Sequence, residues 1–247
     1  MDLALVTGAT SGIGAAFAHE LAARGWSLVL TGRSAPALAV LGEDLGARTV
    51  VADLATAAGR AAVVEAAEGV GLLVNNAALG GAFGPFATMP VEDLEAVLAV
   101  NVVAASSLAR AVLPGMLAAG RGGIVTVSSP AAVGPKAGAA AYGASKAFLE
   151  SLDRSLRAEV RGSGVVVTTV RPDSTGTDFH ARSGQDVSDV TVWNTPEEVA
   201  RAALDAHERG ELLVRIPRRP AKHVARDLAR VVWHHPLVQR RLGSRQR

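Results

Sequence analysis

The stretch Leu3-Ala-Leu-Val-Thr7-Gly8-Ala-Thr-Ser-Gly12-Ile-Gly14 decides the fold of this 247-residue chain. A short apolar run of strand length enters a glycine-rich turn, and a helical pattern follows the turn through about Arg24. A buried strand, a turn of this kind and a helix together hold a pyrophosphate at the helix N-terminus. The glycine spacing is neither that of G-x-G-x-x-G nor that of a Walker loop, which needs a lysine after its last glycine. We predict a phosphate cradle formed by Gly8, Thr10, Ser11, Gly12, Ile13 and Gly14; a turn of purely structural purpose is the alternative.

The rest of the chain repeats the alternation of strand and helix. Further strands are predicted at 27–31, 49–51, 72–74, 123–127, 165–170 and 212–214. Helices are predicted at about 35–45, up to about 68, at 91–117 and 142–160, and from the start signal Thr195-Pro196. This alternation predicts an α/β fold with a doubly wound, parallel, seven-stranded, Rossmann-like sheet in a single domain, residues 1–215. Residues 174–194 are polar and poorly periodic, as expected of a mobile lid.

Composition and charge narrow the class of protein. The sequence has no cysteine, which excludes disulfides and thiolate metal sites, and we predict no metal site. No secretory leader and no uncharged apolar run of 18 residues is evident, so we expect a cytoplasmic protein without a membrane span. Residues 1–208 carry 14 basic and 21 acidic side chains, whereas residues 209–247 carry 11 and 2.

The basic residues therefore belong to the C-terminal end of the chain. We predict that residues 216–247 form a basic amphipathic helical extension that packs on the same domain or on a neighbouring subunit, because so much apolar surface needs burial. Contact with an anionic membrane is a less favoured alternative. Nucleic acid is not expected as a partner, because no base-reading motif accompanies the basic residues.

Polar residues follow the carboxyl ends of several predicted strands, which meet at one edge of a parallel sheet. After the second strand, Gly32-Arg33-Ser34 favours NADP, since an arginine accommodates a 2′-phosphate where an acid selects a free 2′-hydroxyl. A lone surface arginine is the alternative. The third, fourth and sixth strands end in Asp53-Leu54, Asn75-Asn76-Ala77-Ala78 and Arg171-Pro172-Asp173.

A candidate proton donor lies on the helix after the fifth strand. Tyr142 is the only tyrosine, and Lys146 is one of three lysines in the chain. At a spacing of four residues on a helix the two side chains share a face, so an ammonium there is expected to lower the pKa of the phenol. Such a phenol suits general acid catalysis on a carbonyl oxygen. Asn101 lies within an apolar helix and is predicted to be buried and hydrogen-bonded, with a backbone bulge as one possibility.

Together these motifs resemble the short-chain dehydrogenase/reductase (SDR) family over about residues 3–215. The resemblance implies that Gly8, Gly12 and Gly14 form the glycine motif, that Arg33 selects the cofactor, and that Asp53 lies beside adenine. It implies a catalytic set of Asn101, Ser129, Tyr142 and Lys146, with Ser129 preferred over Ser128 because it lies thirteen residues before the tyrosine. It also implies that Asn75 and Ala77 belong to a structural motif and that Thr177 contacts the carboxamide of the cofactor. The full predicted cofactor site is Gly8, Thr10, Ser11, Gly12, Ile13, Gly14, Arg33, Ser34, Asp53, Leu54, Asn75, Ala77, Tyr142, Lys146, Pro172, Asp173 and Thr177.

Two residues depart from the family pattern: Ala78 and Asp173 each replace a usual glycine. The resemblance implies an NADP(H)-dependent reductase that converts a ketone to a secondary alcohol, with a small-molecule carbonyl or alcohol substrate and a homodimer or homotetramer. Ser129 is expected to hold the carbonyl oxygen, Lys146 to lower the tyrosine pKa, and Asn101 to anchor a water relay. Alternatives are an epimerase or dehydratase-like outcome on the same scaffold, and a non-catalytic NADP-binding regulator.

Overall fold

A computed structural model describes residues 2–134, 136–177, 179 and 194–216. These residues form seven strands: β1 Leu3–Thr7, β2 Ser27–Gly32, β3 Arg48–Val51, β4 Leu72–Asn75, β5 Gly122–Val127, β6 Val165–Pro172 and β7 Leu213–Ile216. The α-helices are α1 Gly12–Ala23, α2 Ala35–Leu45, α3 Ala57–Ala66, α4 Val91–Leu98, α5 Ala105–Ala119, α6 Ala140–Glu159 and α7 Pro196–Glu208. A π-helical segment, Ala99–Ala104, joins α4 to α5, and short 3₁₀ turns occupy Phe86–Thr88 and Pro130–Ala132.

All strands pair in parallel in the order β3-β2-β1-β4-β5-β6-β7. The order reverses between β1 and β4, and in open sheets of this kind ligands bind outside the carboxyl ends of the strands at that point. The predicted seven-stranded, doubly wound sheet is therefore confirmed.

The inner strands of the sheet are buried on both faces, which explains why they read as continuous apolar runs. On one face, alternate strand residues pack against Phe17 and Leu21 of α1 and Leu204 of α7. On the other face, they pack against Val63 of α3 and Leu108 of α5. Strands β1, β2, β4, β5 and β6 contribute side chains to both cores, whereas β7 contributes to the first core only and the edge strand β3 is largely exposed.

The helical stretch Val91–Ala119 is long and apolar enough, by length and composition alone, to cross a membrane. In the fold, its residues Val97, Leu108 and Val112 are buried, and the last two of them lie in the core over the sheet. Core packing therefore accounts for these residues, whereas Leu98, Val103 and Leu117 of the same stretch are exposed.

The predicted C-terminal extension and most of the predicted lid lie outside the described residues, at 217–247 and at 178 and 180–193. Strand β7 runs through Ile216, one residue beyond the predicted domain limit. Helix α7 begins as predicted, because Thr195 and Glu198 form a reciprocal capping box.

Candidate active site

The turn between β1 and α1 needs glycine at each of its three glycine positions. Gly8 and Gly12 have φ of +65° and +53°, a region that other residues rarely adopt. A Cβ at Gly12 would lie 2.8 Å from the Thr177 Cγ2 atom, and a Cβ at Gly14 would lie 2.1 Å from the Gly8 carbonyl oxygen. The turn is therefore built for close backbone approach, with helix α1 beginning immediately behind it.

Strand β4 holds this turn in place through Thr7 and Asn76. The Thr7 hydroxyl donates to the Val74 carbonyl and accepts from the backbone N–H groups of Asn76 and Ala77, at 3.0 to 3.1 Å. The Asn76 side-chain amide donates to the carbonyls of Thr7 and Gly8, at 2.9 and 3.3 Å. The start of the glycine turn, at Thr7 and Gly8, is thereby fixed to the end of β4.

A cavity of about 1110 Å³ runs along the carboxyl edge of the sheet, starting at the glycine turn. This volume exceeds the roughly 300–1,000 Å³ of pockets that hold drug-sized ligands. Most of the predicted site residues line it together: Gly8, Thr10, Ser11, Gly12, Ile13, Arg33, Ser34, Asp53, Leu54, Ala77, Ser129, Tyr142, Lys146, Pro172, Asp173 and Thr177.

Three predicted site residues do not line this cavity: Gly14, Asn75 and Asn101. Gly14 acts within the turn, as described above. The Asn75 amide donates to the Ala105 carbonyl at 3.1 Å in the interior, whereas its neighbour Asn76 lines the cavity. Consecutive strand residues point to opposite faces, so only one of two adjacent amides turns toward the cavity. The prediction chose Asn75, and the structure places Asn76 there.

Asn101 is fully buried in the π-helical segment, as its apolar neighbours predicted. Its Oδ1 accepts from the Leu79 N–H at 2.8 Å, and its Nδ2 donates to the Leu79 carbonyl and to Ser145 Oγ, each at 2.9 Å. Ser145 Oγ in turn donates to the Tyr142 carbonyl at 2.7 Å. The side chain therefore holds the cavity loop at Leu79 against α6, and both of its N–H donors are used there. The water relay expected at Asn101 stays a prediction.

Arg33, Ser34 and Asp53 lie at the end of the cavity next to β2 and β3. Arg33 is exposed and follows the last residue of β2. Ser34 Oγ caps α2 by accepting from the Ala37 N–H, and Asp53 Oδ1 accepts from the Ala55 N–H at 2.9 Å. The guanidinium is thus available at the position where a second-strand arginine meets a 2′-phosphate in dinucleotide folds.

Tyr142 and Ser129 meet in the wall of the cavity. Ser129 ends the segment after β5, with Pro130 at the first position of the following 3₁₀ turn, and its hydroxyl accepts from the Ala131 N–H at 3.2 Å. The same hydroxyl lies close enough to the Tyr142 phenol to lower the pKa of that phenol. Ser128, by contrast, is buried and donates to Glu150 at 2.7 Å, so Ser129 is the serine placed at the phenol. Phe179 packs beside Tyr142, with 5.4 Å between the ring centroids.

Lys146 lies one turn further along α6 and is buried. Its Nζ donates to the Val127 carbonyl at 2.8 Å and lies 5.8 Å from the centroid of the Tyr142 ring. Burial raises the pKa of Tyr142 to about 12, against a lowering by the Ser129 hydrogen bond, and burial lowers the pKa of Lys146 to about 8. The expectation that the ammonium lowers the phenol pKa is therefore not met in this state of the protein, because desolvation outweighs every attractive contribution.

The two departures from the family pattern, Ala78 and Asp173, both line the cavity. The Asp173 carboxylate accepts from the Ser174 N–H at 3.0 Å, and the backbone N–H of Asp173 donates to the Ile216 carbonyl. Ala78 lines the cavity beyond β4. Both replacements fit without a backbone conformation that would require glycine, since no described residue other than glycine has positive φ.

The far end of the cavity contains residues that the sequence interpretation did not single out. Lys136 Nζ lies 5.4 Å from the centroid of the Phe83 ring, and the two loops that carry them are joined by a hydrogen bond from the Gly84 N–H to the Gly138 carbonyl. Asp93 of α4 also lines this end. These residues share no motif with the catalytic set, so only the fold reveals their proximity.

These features fit a dinucleotide. The glycine turn leaves room for phosphate at the N-terminus of α1, Arg33 lies at the β2 end, and Tyr142 and Lys146 lie toward the opposite end of a continuous cavity. No group of three or more His, Asp or Glu side chains in the described part of the chain is arranged to bind a metal ion.

Comparison with known proteins agrees with this geometry. The family model described as short chain dehydrogenase matches residues 2–188. Sulfoacetaldehyde reductase 2 of Chromohalobacter salexigens is 37% identical over 241 residues, covering 89% of this chain and 96% of that protein. The NADP-dependent 3-hydroxy acid dehydrogenase YdfG of Escherichia coli is 32% identical over 235 residues, covering 87% and 94%.

A solved structure shares the whole architecture. The short-chain dehydrogenase from Sphingobium yanoikuyae in complex with NADPH superposes with a TM-score of 0.84 at 35% identity and covers 93% of each chain. With the family model matching most of the chain and the sheet, glycine turn and tyrosine-lysine pair all in place, the chain belongs to the short-chain dehydrogenase family of oxidoreductases.

Proposed function

We propose that this protein is an NADP(H)-dependent reductase that converts a ketone to a secondary alcohol. The observation that carries the proposal is the meeting of Tyr142, Ser129 and Lys146 at the wall of the cavity that begins at the glycine turn. When bound, the cofactor supplies the hydride, and the protein supplies positions, hydrogen bonds and a proton.

In this proposal the hydroxyl of Ser129 binds the substrate oxygen, and the phenol of Tyr142 donates the proton to it. A phenol whose pKa is raised to about 12 is fully protonated at neutral pH, so it is ready as an acid. Lys146 is placed to stabilise the negative charge that forms on the phenol oxygen as the proton leaves. Asn101 and Ser145 keep the backbone at Tyr142 in position, because Asn101 donates to Ser145 Oγ and Ser145 Oγ donates to the Tyr142 carbonyl.

Preference for NADP over NAD rests on Arg33, which follows Gly32 at the end of β2. A Cβ at Gly32 would lie 2.8 Å from the Thr10 Cγ2 atom, so the chain passes close to the glycine turn there. The NADPH complex of the Sphingobium yanoikuyae relative and the NADP dependence of YdfG support the same preference.

The cavity wall supports a largely hydrophobic ketone, through Val97, Val100, Ala131 and Phe179. A second candidate substrate class is a carbonyl compound that carries an acidic group. Lys136 at the far end of the cavity favours it, and sulfoacetaldehyde reductase and 3-hydroxy acid dehydrogenase are relatives named for such substrates. Trp193, expected in the substrate pocket from the sequence, lies outside the described residues.

The experiment is a panel of neutral ketones and matched keto acids, assayed by NADPH absorbance and repeated with Lys136→Met. Neutral ketones turned over equally by both proteins support the hydrophobic class. A loss of activity in Lys136→Met that is confined to the acids supports the acidic class. No consumption of NADPH with any carbonyl compound contradicts the reductase proposal.

The same panel with deuterium on the transferred position of NADPH distinguishes the other outcomes. A reductase leaves the deuterium in the product, whereas an epimerase or dehydratase-like enzyme returns the cofactor unchanged. A non-catalytic regulator also leaves the cofactor unchanged, but it converts none of the carbonyl compounds to product. We also propose a homodimer or homotetramer, supported by the exposed apolar residues Leu98 and Val103 on the α4–α5 stretch and Phe148 on α6.

A further inference from the structure

A layer of buried charged side chains lies between α6 and strands β5 and β6. Lys146, Glu150 and Asp153 follow one another along α6 at spacings of four and three residues and are 2%, 8% and 3% exposed. These spacings place the three side chains on one face of the helix. Charged residues are almost never buried to this extent without partners, so each of them requires one.

Glu150 has its own cation. Its carboxylate accepts from Nε and Nη2 of Arg171 on β6, and the Ser128 hydroxyl donates to the same oxygen as Nε. Two guanidinium bonds and one hydroxyl bond satisfy both oxygens of this carboxylate and pair its charge with that of Arg171. Arg171 is therefore committed to Glu150.

Asp153 has hydroxyl partners only. Its Oδ1 accepts from Thr126 Oγ1 at 3.1 Å and its Oδ2 accepts from Thr169 Oγ1 at 2.7 Å. Among the described residues, Lys146 and Arg171 are the only buried cations. With Arg171 held by Glu150, Lys146 is the cation left to balance Asp153.

We propose that Asp153 is a positioning residue that acts through Lys146, its carboxylate being the counter-charge that keeps Lys146 an ammonium beside Tyr142. The consequence for catalysis rests on the proposed reductase function. Burial raises the pKa of Asp153 to about 6 and lowers that of Lys146 to about 8, and in each case the other residue opposes the effect of burial. Between about pH 6 and pH 8 both side chains are therefore charged, and the layer as a whole is neutral.

The other groups that face this pair fit the assignment. Strands β5 and β6 present neutral hydroxyls to Asp153, and the π-helical segment presents the neutral amide of Asn101 to Ser145. Glu150 raises the pKa of Asp153, and the Tyr142 phenol is the titratable group above Lys146. Of these groups, only Asp153 raises the pKa of Lys146.

The experiment measures the protonation of the Lys146 side chain directly. The chain has only three lysines, so ¹³Cε-lysine labelling gives three NMR signals, which Lys136→Arg and Lys222→Arg assign. In Asp153→Asn, which keeps the size and polar character of the side chain, the titration midpoint of Lys146 is expected to fall by about one pH unit. Thr169→Val removes a hydrogen bond but no charge and is expected to move the midpoint much less.

A midpoint that is the same in Asp153→Asn and in the native protein overturns the proposal. The native protein alone gives a second reading, because the Lys146 signal must show a smaller inflection near pH 6 as Asp153 titrates. A single-phase curve also overturns the proposal, even where Asp153→Asn does not fold. If the midpoint moves but the alkaline limb of kcat for ketone reduction does not move with it, the charge coupling stands and the role of Lys146 in the proposed function fails.

Discussion

Replacing Asn101 by alanine should destabilise the protein far more than a typical polar-to-alanine change on the same helical stretch. The change removes three hydrogen bonds, two to the Leu79 backbone and one to Ser145 Oγ. Leaving a buried donor or acceptor unpaired costs about 1–3 kcal/mol. Leu79 is only partly buried, so water can reach its backbone, and Ser145 keeps its bond to Tyr142. We therefore expect a loss of about 3 kcal/mol in the free energy of unfolding.

Urea denaturation followed by circular dichroism measures this loss, with Ser106→Ala as the matched control. Ser106 is also partly buried beside the π-helical segment, but it makes one local bond, to the Val102 carbonyl at 2.7 Å. That control is expected to cost about 1 kcal/mol or less. If both variants lose the same small free energy of unfolding, the interpretation that the Asn101 side chain holds the loop at Leu79 against α6 is wrong. A domain of ordinary stability, about 5–15 kcal/mol, still folds after the larger loss.

Three further predictions concern other parts of the structure. Burial lowers the pKa of His207 to about 4, so stability that is present above pH 6.5 is lost as pH falls through 4. In thermal melts His207→Gln should reduce this loss of stability at acid pH, and an unchanged loss contradicts the role given to His207. Glu198→Ala removes one half of the capping box and should cost about 1 kcal/mol in urea unfolding. Glu197→Ala, at an equally exposed position outside the reciprocal pair, should cost less, and equal losses argue against the box. Arg33→Ala should raise the KM for NADPH at least tenfold more than the KM for NADH, and equal effects remove the NADP assignment.

Much of the fold was predictable because its main signal is local. Strands buried on both faces have no polar residues to interrupt them, so runs such as 3–6 and 72–74 stand out between glycine turns and amphipathic helices. The burial of Asn101 was predictable for a similar reason, since a polar residue amid valines in a helix needs an internal partner. The bulge it occupies is the π-helical segment.

The choice between Asn75 and Asn76 was not predictable from residue type. Adjacent residues at a strand end differ only in the face to which they point, and that depends on where the strand stops pairing. Strand β4 ends at Asn75, so the next residue is the one that turns toward the glycine loop.

The direction of the Tyr142 pKa shift and the role of Asp153 were hidden for another reason. Both depend on the balance between desolvation and charge, which is set by residues far apart in the sequence. A sequence shows Asp153 as one acid on an amphipathic helix, and only the packing of α6 on β5 and β6 reveals that it is buried.

The most direct test of the central claim measures cofactor binding and single-turnover reduction in Tyr142→Phe. This change removes the phenol oxygen and keeps the ring that packs on Phe179. We predict that NADPH fluorescence titration gives a Kd within about threefold of the native value, while the rate of ketone reduction falls by about 10²–10⁴ or more. Reduction at a native rate by this variant would contradict the account, because the proton would then come from another group.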